Sequence, residues 1–125
     1  MATTWAVTRR SNVINRIVDM NYQVYLCEAS LISSSLLLPS ARGLDGRSVR
    51  FSRIDGSSSN TFTIRAQPGE LIGTSNTTTI DVYAAITLIA YQNNWYFLQY
   101  DDSGLTGASG PSGAVRRSQG GRRRN

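Results

Sequence analysis

The sequence predicts an all-β fold of short antiparallel strands, arranged as a sandwich, a barrel or a β-prism-like module. Three observations carry that prediction. Between Gln23 and Tyr100, turn-forming residues recur about every ten positions. No stretch between them repeats its apolar residues at the spacing of an amphipathic helix. Residues 84–100, AAITLIAYQNNWYFLQY, read as two β-branched and aromatic strands around a short turn.

Taken in order, residues 1–12 read as an N-terminal arm, with Trp5 and Val7 as anchors followed by Arg9-Arg10. Residues 13–20 place apolar groups at 13, 14, 17, 18 and 20, which fits a short helix, but their β-branched content favours a strand. In residues 23–28, Val24 and Leu26 alternate with Tyr25 and Cys27, the pattern of a strand. Leu36-Leu37-Leu38 is a short buried strand stopped by Pro39, which has no N–H for a central ladder. A loop over residues 40–46 closes at Asp45-Gly46. Residues 47–54 follow as a strand with Val49 and Phe51 inward and Arg50 and Ser52 outward.

Residues 55–60, DGSSSN, form a turn cluster. The cleanest alternation is in residues 61–66, with Phe62, Ile64 and Ala66 inward and Thr61, Thr63 and Arg65 outward. Pro68-Gly69 fits the centre of a type II turn, because Pro presets its φ and Gly accepts a positive one. Residues 70–73 are a short edge piece, and residues 77–82 lead into the hairpin. There Ile86, Leu88 and Ala90 share one face, with Thr87, Ile89 and Tyr91 on the other. In the second strand, Trp95 and Phe97 oppose Tyr96, Leu98 and Tyr100. Gln92-Asn93-Asn94 supplies the turn, since Asn tolerates the left-handed backbone that tight hairpins need. Bulky groups on both faces imply that the hairpin is covered on two sides.

At 125 residues the chain has the length of one domain. It divides into the arm (1–12), an all-β domain (13–102) and a Gly/Ser/Arg-rich tail (103–125). No apolar run approaches the ~20 residues of a membrane-spanning helix, and MATTWAVTRRSNVIN lacks the apolar core of a secretory signal, so neither is expected. Arg supplies all 13 basic residues. Up to residue 102, eight Arg balance eight acids; the tail holds Arg116, Arg117, Arg122, Arg123 and Arg124 and no acid. The net charge of +5 therefore belongs to the tail. Such a tail suits contact with nucleic-acid phosphates or with acidic patches on neighbouring proteins; the alternative is a solvated terminus. It has no aromatic residues for base stacking, so sequence-specific nucleic-acid recognition has no support.

The absence of His and the presence of one Cys leave the usual zinc and nucleophile constellations without their residues. Carboxylate pairs for glycoside or lyase chemistry would come from Asp19, Glu28, Asp45, Asp55, Glu70, Asp81, Asp101 and Asp102. Asp45 and Asp55 each precede Gly in a turn, where local hydrogen bonding accounts for them. No catalytic, cofactor-binding or metal-binding residue is assigned, and the chain is expected to be non-enzymatic with no cofactor. Cys27, among apolar neighbours, reads as a buried structural thiol. Tyr91, Trp95, Tyr96 and Tyr100 could stack on sugar rings, but their place within the hairpin favours packing. Asn76-Thr77-Thr78 matches the N-glycosylation sequon and is taken as chance.

The ordered set Leu38-Pro39-Ser40-Ala41, Gly46-Arg47, FSRID (51–55), NTFTI (60–64), PGELIG (68–73), ITLI (86–89) and Asn94-Trp95-Tyr96 resembles a known module. That module recurs in phage tail fibres, tail spikes and structural proteins of large DNA viruses, and the resemblance covers residues 23–98. One departure is Gln92-Asn93, where the module's turn usually contains Asp or Gly. The resemblance implies a homotrimer with its sheets packed about a three-fold axis. One hairpin face would then meet its own core and the other a neighbouring subunit, with Ile86, Leu88, Ile89, Trp95, Phe97 and Leu98 as core or interface residues. The expected function is that of a virion structural protein: a minor capsid, cement or fibre-base component whose terminal arms bind other virion proteins. Two alternatives are a receptor-binding fibre tip that recognises a host glycan, and an internal protein that touches nucleic acid through the Arg tail.

Overall fold

The computed structural model describes residues 6–101. Its regular elements are all strands: β1 (Val7–Ser11), β2 (Arg16–Ile17), β3 (Val24–Glu28), β4 (Ser34–Leu37), β5 (Ser48–Arg53), β6 (Phe62–Arg65), β7 (Thr77–Thr79), β8 (Ala85–Tyr91) and β9 (Asn94–Asp101). They form a five-stranded sheet, ordered β1-β3-β5-β8-β9, and a four-stranded sheet, ordered β2-β4-β6-β7, which do not close into a barrel. No helix among the described residues is long and apolar enough to cross a membrane.

The expectation of antiparallel strands is corrected by the pairing. β1, β3 and β5 run parallel to one another, as do β2, β4 and β6. The chain crosses to the other sheet after each of its first five strands. The next strand in a given sheet therefore arrives one full coil later and points the same way. Antiparallel pairing begins where the chain stays within a sheet, at β6–β7 and β8–β9, and β8 also runs antiparallel to β5. Side chains alternate with period two in either arrangement, so the alternation carries no information on direction.

Part of the expected N-terminal arm is strand, while Trp5 lies outside the described residues. Val7–Ser11 is β1, in register with β3 from Val7 opposite Val24 to Ser11 opposite Glu28. With one large apolar residue, the strand has no visible alternation. The ladder holds it, together with the Arg9–Glu28 ion pair and the Arg10 guanidinium 5.5 Å above the Tyr25 ring. Asn12 and Asn15, with φ of 55° and 49°, turn the chain toward the second sheet. In residues 13–20 only Arg16 and Ile17 are strand; Val18 enters the core while Ile14 and Ile17 stay exposed.

One apolar cluster joins the two sheets. The five-stranded sheet contributes Tyr25, Cys27, Val49, Phe51, Ile86, Leu88 and Trp95, and the four-stranded sheet Leu36, Phe62 and Ile64. Burying each large side chain stabilises the fold by about 1.5–3 kcal/mol. Tyr25 reaches Asp19, donating to its carbonyl at 2.9 Å and accepting from its N–H at 2.5 Å. Burial pushes the Tyr25 phenol up, so it stays protonated.

The hairpin forms as a two-residue turn. Gln92 and Asn93 both have positive φ, 48° and 68°, the type I′ geometry that matches strand twist. A bulge lies beyond it: Leu88 faces Phe97 but Thr87 faces Gln99, which leaves Leu98 as an extra residue. The bulge changes the phase of the strand. Tyr100 consequently faces Ile86 and shares a side with Trp95 and Phe97, not with Tyr96 and Leu98 as simple alternation implied.

Candidate functional site

The far end of β9 exposes several large apolar and aromatic side chains. Trp95 anchors the strand: its backbone N–H donates to Leu71 O and its backbone carbonyl accepts from Gly73 N, both at 2.8 Å. Its ring is fully buried. Beyond that point, Phe97 is 44% and Leu98 60% exposed, and Tyr96 and Tyr100 are exposed as well. The four-stranded sheet ends in the three-residue β7, and Gly73 approaches the Phe97 ring so closely that a Cβ there would lie 3.3 Å from it. Near the turn, Tyr91 and Tyr96 meet edge to face, ring centroids 6.4 Å apart.

The hairpin residues expected at core or interface thus divide. Ile86, Leu88 and Trp95 are fully buried, Ile89 is half-buried on the outer face, and Phe97 and Leu98 are exposed. Trp95 is withdrawn from any sugar-stacking role, whereas Tyr91, Tyr96 and Tyr100 are accessible. Arg116, Arg117, Arg122, Arg123 and Arg124 lie outside the described residues, as does Asp102.

A second constellation, missed in the sequence, is Arg53 with Asp55. The Val49–Phe51 alternation continues to Arg53 and places its guanidinium on the core side of β5. Burying two charges is costly unless every polar atom finds a partner. Arg53 donates to both Asp55 oxygens at 3.0 and 3.2 Å, and to the carbonyls of Ile80, Ser57 and Asn60 at 3.0, 2.8 and 2.9 Å. Asp55 also accepts from the N–H groups of Ala29 and Ser57, at 2.9 and 3.0 Å. Burial alone would raise the Asp55 carboxyl. Hydrogen bonds from Arg53, Ala29 and Ser57, with the Arg53 charge, outweigh it and hold the group at about 2. The result is a structural clamp on the 55–60 turn.

The other described carboxylates also have partners. Asp19 accepts from Asn21 N at 2.9 Å, and Glu70 from Ser40 Oγ at 2.6 Å and Ala41 N at 2.9 Å. Hydrogen bonds from Arg9, Ser11 and Ser30 draw Glu28 below its ordinary range. Arg50 links Thr87 at 2.9 Å to Asp101 at 2.5 Å across the outer face. Asp45 corrects an expectation: its bond is not local, since Oδ1 accepts the Gln92 N–H at 3.0 Å and braces the distant hairpin turn. Among the described residues, no group of three or more His, Cys, Asp or Glu is placed to hold a metal.

Cys27 is fully buried, and burial pushes its thiol well up, which keeps it protonated and unreactive. The amide of Asn76 donates to the carbonyls of Ala66, Gln67 and Glu70 at 3.3, 3.1 and 2.9 Å. The sequon asparagine is thereby committed to closing the 66–76 loop. Compared with known proteins, the chain matches no family model and no curated protein.

Proposed function

We propose that the chain is a non-enzymatic structural protein of a virus particle, a homotrimer serving as a minor capsid, cement or fibre-base component. The observation that carries the assembly part of this reading is the exposed apolar end of β9. Phe97 and Leu98 face solvent on the last strand of a five-stranded sheet, in a hairpin whose Ile86, Leu88, Ala90 and Trp95 belong to the core. Contiguous exposed apolar groups on an edge strand favour association with another chain. A second copy of the same chain is the simplest occupant, and the resemblance of residues 23–98 to trimeric viral modules supports it.

Each described carboxylate is engaged by named donors or by the Tyr100 hydroxyl, an arrangement that serves folding. In this reading the Arg residues of 103–125 bind acidic groups of neighbouring virion proteins through bidentate contacts. Light scattering on the full chain at micromolar concentration tests the reading. A mass of three chains supports it and a mass of one contradicts it.

A further inference from the structure

We propose that the outer edge of β1 binds an extended acidic segment of another protein as an added strand. β1 and β2 are consecutive, and each is the edge strand of its sheet at the end where the chain begins its coils. The ladder to β3 opens where Ala6 O accepts the Val24 N–H at 3.2 Å, and closes where the Asn12 N–H donates to Glu28 O at 2.9 Å. Successive residues of a strand turn their backbone groups to opposite edges. Thr8 and Arg10 therefore bond to β3, while Val7, Arg9 and Ser11 turn N–H and C=O away from it. No described strand pairs with that side. The Arg9 carbonyl accepts Arg10 Nη1 at 3.0 Å and keeps a second lone pair. Such a row is a template for one more strand.

Charge selects what that strand carries. Residues 7–17 hold three arginines and no acid. Glu28 neutralises Arg9, but Arg10 and Arg16 form no ion pair among the described residues. Arg10 stands in register with Cys27 and Arg16 with Leu36, both buried between the sheets. The two arginines thus sit on the inward side of their edge strands and rim the open end of the core from facing sheets. Arg10 Nε is buried there with no hydrogen-bond partner among the described residues. Exposed Val7 lies on the outward side, in register with Val24. The incoming strand then needs acidic groups in its inward row and apolar groups in its outward row, an alternation of period two. Guanidinium forks hold such carboxylates in pairs of bonds.

Other occupants fit less well. A second β1 would lay Arg9 and Arg10 against their own copies, and charged side chains on an edge strand guard against such self-pairing. Nucleic-acid phosphates suit arginine but meet the outward carbonyls of the edge, and residues 7–17 contain no aromatic ring for base stacking. β9 is the opposite edge of the same sheet, so the site is separate from the assembly surface proposed above and does not depend on it.

Fluorescence anisotropy of the full chain with two labelled peptides, TVEVEVT and TVKVKVT, tests this. The acidic peptide should bind with Kd of about 100 µM and the lysine peptide about 10-fold more weakly. Val7→Pro removes one outward N–H and leaves the bonds to β3 and every charge in place. It should weaken the acidic peptide about 10-fold, with circular dichroism confirming the fold. If that variant fails to fold, Arg16→Gln, at an exposed residue, takes its place with an expected loss of about 3-fold. The arginines of 103–125 also attract an acidic peptide, but binding there ignores Val7→Pro. Amide NMR shifts locate the peptide and are expected within residues 7–17. Equal binding of the two peptides, no binding at about 1 mM, an unaffected folded variant, or shifts that spare residues 7–17 each overturn the proposal. So does an oligothymidylate that shifts those amides more strongly than the acidic peptide, since the edge would then serve phosphates.

Discussion

Arg53 and Asp55, two residues apart, are joined from Nε to Oδ1 at 3.0 Å with side chains 3% and 7% exposed. The pair organises three separate stretches of chain, because its remaining bonds reach Ala29, the 57–60 turn and Ile80. Removing one partner strands the other charge away from water. Asp55→Ala is therefore expected to lower unfolding free energy by about 3–5 kcal/mol, read from urea denaturation. A loss below about 1 kcal/mol, the level of a surface pair, would show that the clamp is not structural.

The same pair makes stability depend on acid pH. The folded Asp55 carboxyl, at about 2, lies below its ordinary value of 3.8, so the folded state binds its proton less readily. The contribution is complete above the ordinary value and is lost as pH falls from 3.8 toward 2. It amounts to about 2 kcal/mol. Urea midpoints followed by tryptophan fluorescence should fall through that window. Asp55→Asn should start less stable and lack that part of the slope; an unchanged slope would assign it to other groups.

The hairpin turn has room for improvement. Gln92 and Asn93 occupy left-handed positions where Asn-Gly is the preferred pair. Replacing them as Gln92→Asn with Asn93→Gly keeps the backbone N–H that Asp45 accepts. The melting temperature should rise, with a gain of a few tenths to about 1 kcal/mol. A fall would mean that the Gln92 side chain contributes something the turn geometry does not show.

Much of this fold could be read in the residues before the structure. Regular turn spacing identified an all-β chain, the Phe62–Ile64 alternation marked β6, and Asn93 marked a tight hairpin. Strand direction was hidden, because parallel and antiparallel strands alternate alike. β1 was hidden because side-chain pairing holds it and only Val7 is a large apolar residue. The extra residue Leu98 reversed the facing of Tyr100, and bulges of this kind leave no periodic trace. Arg53 escaped notice because the strand over residues 47–54 was read inward only at Val49 and Phe51, and alternation does not tell a paired, buried arginine from a solvated one.

Assembly through β9 is the central claim, and two leucines separate it from ordinary core packing. Leu88 is fully buried, whereas Leu98 projects from the bulge at 60% exposure. Ile89→Asp on the half-buried outer face is expected to fall between them. Leu88→Asp should unfold the protomer, since it places an unpaired charge in the core. The decisive measurement is light scattering on Leu98→Asp beside the unaltered chain, with circular dichroism to confirm folding. The account predicts three chain masses for the unaltered protein, and one mass with unchanged strand content for Leu98→Asp. A monomeric unaltered chain, or a Leu98→Asp variant that stays trimeric, would contradict it.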